Sequence, residues 1–214
     1  VIEQHDKESI RERPPMPTTL KPEAALQALV DGNNRTVDGS TRAAQFGTAR
    51  REELSSGQSP FATVLGCADS RVPPELVFDA GLGDIFDVRN AGQIADDVAL
   101  GSIEYSVAVL GVPLVLVLRH TACGAVAAAV AGGDVPAPHI GAVIEAIAPS
   151  VHSAGDGASA EAVGAAHLEA TLRTILERSG LVSDRVAEGR LALAGGTYDL
   201  ATGQVTIDTV IGAR

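Results

Sequence analysis

The sequence predicts an α/β fold: a mainly parallel central β-sheet flanked by helices, with an N-terminal helical arm. Three observations carry this expectation. Short apolar runs at residues 61–66, 85–89 and 113–118 have the length of buried strands. Stretches with helical spacing follow each of them, and strands that alternate with helices imply right-handed crossovers and a parallel sheet. Hydrophobic residues make up 45% of the 214 residues, enough to build a real core.

The elements can be justified in order. Residues 1–20 are rich in charge and proline without apolar periodicity and read as an arm or linker; residues 21–214 read as one domain. A helix begins near Pro22, a residue suited to a first helical turn, carries Ala25, Leu26, Leu29 and Val30 on one side, and is expected to stop at Gly32-Asn33. Residues 43–56 form a second, more polar helical stretch. After the strand at 61–66 the chain turns at 67–71, and Pro73-Pro74-Glu75 opens a short helix. The strand at 85–89 precedes a helix over 95–110; the strand at 113–118 precedes a helix over 120–131. Residues 132–139 are a loop. Helices at 140–151 and 160–178 are separated by the Gly/Ser/Ala-rich stretch 153–159. Two closing strands, 191–194 and 205–207, flank a turn at Thr202-Gly203. There is no internal repeat and no sign of a second core.

Composition narrows the function. A formal charge of −11 argues against a nucleic-acid partner, which needs clustered Lys and Arg, and reads instead as a solubilising surface. No apolar run approaches the ~20 residues of a membrane helix. The first residue is Val1 and no signal-peptide pattern follows, so the sequence reads as a processed chain or a piece of a longer one. The two cysteines, Cys67 and Cys123, suit either a disulfide or two buried thiols, but neither reading explains why each lies beside another metal-ligating residue type. In a reducing cytoplasm, the expected location, both are available as thiolates.

Cys67-Ala68-Asp69-Ser70-Arg71 puts a thiolate and a carboxylate two residues apart on a tight loop. His120-Thr121-Ala122-Cys123 puts an imidazole and a thiolate three apart, where a beginning helical turn can aim both at one point. Both motifs follow strands, and ligands collect at the carboxyl ends of parallel strands, so the two converge on one rim. Two thiolates and one imidazole suit zinc, and three protein ligands leave a position for water that becomes hydroxide near neutral pH. Asp69 is a possible fourth ligand in a closed form of the site. Arg71 offers a fork of donors that can hold that carboxylate off the metal. His139, His152, His167 and His5 lack ligand-like spacing to any other metal-binding residue.

Cys-Ala-Asp-Ser-Arg followed by His-Thr-Ala-Cys-Gly resembles the signature of the β-class carbonic anhydrases. The resemblance runs from about residue 21 to residue 210 and includes Gly32-Asn33, Gln58, Asp84, Val88-Arg89-Asn90, Gly101-Ser102-Ile103-Glu104-Tyr105 and Tyr198-Asp199. It implies a β-carbonic anhydrase-like zinc domain, a homodimer or homotetramer, that interconverts carbon dioxide and bicarbonate by attack of zinc-bound hydroxide. On it, Cys67, His120 and Cys123 are the zinc ligands and Asp69 with Arg71 the catalytic pair. Gln58 is a substrate-binding amide, Gly124 offers its amide to substrate oxygen, and Phe86 and Tyr105 are pocket aromatics that reach in from a neighbouring subunit. Without the resemblance, Gln58 is a loop amide and the two aromatics are core residues.

The chain departs from the family pattern at Thr36, where Phe is common, at Asp87, where an apolar residue is usual, and at Arg119, where Gly almost always precedes the ligand histidine. One bacterial subgroup controlled by bicarbonate has Trp three residues before the first cysteine ligand; this chain has Val64. Gly at position 119 would permit positive φ and close approach, and Arg does neither easily. The expectation is that Arg119 pairs with an acidic group, Asp87, and weakens catalysis without removing zinc. Alternatives to carbon dioxide hydration are carbon disulfide or carbonyl sulfide hydrolysis with the same zinc shell, and a weakened, zinc-stabilised interaction domain, including the soluble domain of a bicarbonate- or sulfate-type membrane transporter.

Overall fold

The structure, a computed structural model, describes residues 20–42 and 46–212. The expected arm, Leu20 apart, and residues 43–45 of the expected second helix lie outside them. Five strands form one sheet: β1 (Ala62–Cys67), β2 (Ile85–Asn90), β3 (Leu114–His120), β4 (Ala192–Tyr198) and β5 (Val205–Ile211), in the order β2-β1-β3-β4-β5. The first four strands are mutually parallel and β5 pairs antiparallel to β4. The helices among the described residues are α1 (Pro22–Val37), α2 (Thr48–Leu54), α3 (Pro74–Val77), α4 (Asp97–Ala108), α5 (Gly124–Ala131), α6 (Pro138–Ala154), α7 (Ala160–Arg178) and α8 (Gly180–Ala187).

β3 shows why its sequence is apolar without a break. Leu114, Leu116 and Leu118 pack with Ala25 and Leu29 of α1 and with Val77 and Phe78, whereas Val115 and Val117 pack with Ile103 and Val107 of α4 and Leu168 and Leu172 of α7. A parallel strand covered by helices on both faces has no polar side to show. A third, smaller apolar cluster gathers Cys67, Val72, Cys123, Val126, Ile147 and Val163 beyond the strand ends. No helix among the described residues is long and apolar enough to cross a membrane.

Several boundaries differ from the sequence expectation, each for a tertiary reason. α1 does not stop at Gly32-Asn33 but runs on to Val37. Glycine in a helix costs about 1 kcal/mol relative to alanine, yet a Cβ at Gly32 would overlap the Phe78 carbonyl, so the glycine is where α1 crosses the chain after α3. Asn33 then staples the helix: its Nδ2 donates to the carbonyls of Val77 (3.0 Å) and Gly203 (2.9 Å), and its Oδ1 accepts from Val205 N–H (2.8 Å). The signal read as a stop is a docking point. β3 extends through His120, so the helix expected from residue 120 starts only at Gly124. β4 continues through Gly195 and Gly196, which disguise it; the missing Cβ at Gly195 makes room for Leu168 and Leu172 of α7. α8, which the sequence reading did not separate, begins where Ser179 closes α7 and accepts from Val182 N–H with its hydroxyl (3.3 Å).

Candidate metal centre

The carboxyl ends of β1 and β3 are adjacent because the two strands pair in parallel. Cys67 is the last residue of β1, His120 the last of β3, and Cys123 the residue immediately before α5. One sulfur or nitrogen from each lies within 4.8 Å of those of the other two, and all three residues are buried. Both cysteines are free, so the disulfide alternative falls away. His120 Nδ1 lies 2.9 Å from its neighbour's carbonyl, Thr121 O, which makes Nδ1 the protonated nitrogen and leaves the lone pair on Nε2. Nε2 is buried with no hydrogen-bond partner. A buried ring nitrogen left unpaired beside two thiols is a donor set that fits a soft divalent metal.

The two sulfurs are electrostatically unequal. Hydrogen bonding from the Cys123 thiol, joined by Gly92 N–H at 3.4 Å, holds the Cys67 thiol below its usual value against the burial that opposes it. The Cys123 thiol, donating to Cys67 and buried, is pushed up. A cation arriving between the two sulfurs would displace the thiol protons.

Asp69 lies next to this group, its Oδ2 3.9 Å from His120 Nε2. Arg71 grips it by a two-pronged bond, Nε to Oδ1 at 2.9 Å and Nη2 to Oδ2 at 2.7 Å, with a third bond from Arg71 N–H to Oδ1 at 2.9 Å. These bonds hold the Asp69 carboxyl well below the usual carboxylate range. The carboxylate is therefore charged and tied to Arg71. Arg89, at the end of the edge strand β2, fixes the loop from beneath, donating to Cys67 O (2.9 Å) and Asp69 O (2.7 Å).

The link from His120 to Cys123 is a loop rather than a helical turn. Thr121 N–H donates to Tyr198 O (3.0 Å), and Ala122 has φ 53°, in the left-handed region. Ala122 N–H donates to Glu161 Oε1 at 2.8 Å. Arg119 is a regular strand residue without positive φ, so the expected backbone strain at that position is absent. Nor does Arg119 meet Asp87. Its Nε donates to Thr197 Oγ1 (2.8 Å) and its Nη1 lies 3.3 Å from both Oε2 and the carbonyl of Glu161. Asp87 stands exposed on β2, two strands away from β3 across the sheet order. Side chains alternate along a strand, and Arg119 points to the α7 side, where Gly164 leaves room for it.

The other expected site residues are spread more widely. Gly124 opens α5, so its N–H is one of the amides that a helix cannot satisfy internally. Gln58 lines a groove of about 600 Å³ with Arg51, Leu54, Glu75, Leu82 and Ile85; Cys67, His120 and Cys123 are not part of its wall. Phe86 and Tyr105 stack on each other at 6.2 Å between ring centroids, and Tyr105 is 46% exposed, so it is not the core residue that its sequence context alone suggests. Of the seemingly ordinary histidines, His167 is buried behind the site. Its Nε2 donates to Gly92 O (2.8 Å), the residue whose N–H reaches Cys67, and its Nδ1 lies 3.2 Å from Ser150 Oγ. Glu161 and His167 carried no sequence signal, because their partners Arg119, Ala122, Ser150 and Gly92 are distant in the chain.

Known proteins share this architecture. A family model described as carbonic anhydrase matches residues 62–205. Carbonic anhydrase 2 of Mycobacterium tuberculosis is 44% identical over 202 residues, spanning 92% of this chain and 97% of that protein. A β-carbonic anhydrase from Coccomyxa, solved in complex with acetazolamide, aligns at a TM-score of 0.69 and 27% identity over 76% of this chain and 78% of its own. One of two tetrameric β-carbonic anhydrases from the ascomycete Sordaria macrospora aligns at 0.66 and 25% identity over 73% and 84%. The family match covers β1 to β4 and both strand ends that carry Cys67 and His120, and the chain belongs to the β class of the carbonic anhydrase family.

Proposed function

We propose that this chain is a zinc enzyme that hydrates carbon dioxide reversibly to bicarbonate and a proton, with Cys67, His120 and Cys123 as the metal ligands. The observation that carries the reading is the convergence of two sulfurs and an unpaired imidazole nitrogen beside a carboxylate that Arg71 keeps occupied. Zinc held by three protein ligands lowers the pKa of a bound water to near neutrality and so supplies a nucleophile for the carbon of carbon dioxide. The remaining work falls to the chain. Asp69 accepts a hydrogen bond from the nucleophile and orients its lone pair. Arg71 keeps Asp69 ionised and out of the metal's fourth position. The Gly124 N–H offers a donor to substrate oxygen as it gains negative charge.

Phe86 and Tyr105 serve across a subunit contact, so the active form is a homo-oligomer, dimer or tetramer. The 78% exposure of Val98 on the same helix as Tyr105 supports an apolar contact there. Two free cysteines suit a reducing compartment, and the cytoplasm is the location we assign. Stopped-flow measurement of carbon dioxide hydration on zinc-loaded protein tests the activity. Acceleration proportional to protein concentration is expected; a rate equal to buffer alone would overturn the assignment.

A further inference from the structure

We infer that Glu161, held in place by Arg119, is a positioning residue that locks the ligand loop between His120 and Cys123. The inference rests on the reading that these two residues hold a metal. Ala122 sits between them in the left-handed region at φ 53°, a conformation that residues with a Cβ avoid and that only surrounding contacts can maintain. Its N–H is fixed by Glu161 Oε1 at 2.8 Å. The other oxygen of the same carboxylate lies 3.3 Å from Arg119 Nη1, and Arg119 Nε is bonded to Thr197 Oγ1, which donates in turn to Asp208 Oδ2 at 2.6 Å.

The result is a continuous chain of bonds from β5 through β4 and β3 to the first turn of α7, ending on the amide of the strained residue. Arg119 is largely buried in it, with only 13% of its side chain exposed. Gly164, one turn along α7 from Glu161, leaves room for the guanidinium: a Cβ there would lie 2.7 Å from Arg119 Nη1. On this inference Arg119 is part of the support for the ligand loop. It replaces the tolerance of a glycine at one position with a brace at another, and the residue that needs the brace is Ala122. Groups that hold ligands from outside the coordination shell change metal retention when removed.

The test measures the rate at which zinc passes from loaded protein to an excess of a chromogenic chelator, for the wild type, Glu161→Ala, Glu161→Gln and the double variant Glu161→Ala with Ala122→Gly. Glu161→Ala is expected to release zinc roughly tenfold faster or more. Glu161→Gln, which retains an oxygen acceptor for Ala122 but no charge, is expected nearer to the wild type than to Glu161→Ala. Glycine adopts the left-handed turn without a brace, so adding Ala122→Gly is expected to recover part of the loss. Release from Glu161→Ala at the wild-type rate would overturn the inference. So would a Gln variant as fast as the Ala variant, because charge alone would then be acting, or a double variant no slower than Glu161→Ala. A wild type that takes up no zinc would instead overturn the metal reading beneath it.

Discussion

Asp69 and Arg71 face the same choice within one short loop: carboxylate on guanidinium, or carboxylate on metal. Three bonds from Arg71 hold the carboxylate on the guanidinium, the arrangement that the proposed open site requires. Asp69→Asn should leave zinc content unchanged but lower carbon dioxide hydration by roughly 100-fold, within the range of a lost acid–base or orienting group. Arg71→Ala should fail for a different reason, because Asp69, 3.9 Å from His120 Nε2, is then free to take the fourth position. That variant should be inactive yet give up zinc more slowly to chelator than Asp69→Asn does. Equal release rates would mean that Arg71 does not hold Asp69 off the metal. The Asp69–Arg71 pairing was legible in the sequence because the two stand two residues apart on the loop after Cys67. The brace on Ala122 was not, because 39 residues separate it from Glu161. Arg119 was misread for the same reason. Its identity was conspicuous, but its partner is set by which helix covers that face of β3.

α7 does more than cover the sheet, since it delivers Glu161 to the ligand loop and His167 to the back of the loop after β2. Burial lowers the pKa of His167 although its bond to Gly92 O favours the proton. The unfolded chain, with His near 6.5, therefore takes up the proton first as pH falls. The stability tied to neutral His167 is whole above about pH 6.5 and is lost progressively below it. Thermal unfolding should show a larger fall in Tm between pH 7.5 and 5.5 for the wild type than for His167→Gln, which can still donate to Gly92 O but does not titrate. Parallel Tm profiles would remove His167 as a source of acid sensitivity; comparing the two proteins cancels the titration of the cysteines. At this scale the sequence revealed element type better than element ends. β3 was evident as an unbroken apolar run. α1 was cut short and β4 understated because Gly32, Gly195 and Gly196 look like breaks, whereas in the fold they are points of close packing.

For the whole molecule, the parallel sheet explains why two motifs more than 50 residues apart meet: both sit at carboxyl ends of adjacent strands. That much followed from alternating strands and helices. The contact proposed between copies of the chain did not, since an exposed Tyr105 beside Phe86 looks in sequence like any aromatic of a helix and a strand. Sedimentation at micromolar concentration should show a dimer or larger species, and Tyr105→Asp should shift it toward monomer with loss of activity. A fully active monomer would contradict the shared pocket. The metal centre itself is tested most directly by elemental analysis of zinc per folded chain. About one zinc per chain is expected for the wild type, with a marked fall in Cys67→Ser, His120→Ala and Cys123→Ser while circular dichroism shows the fold retained. Full zinc content in all three variants would contradict the account.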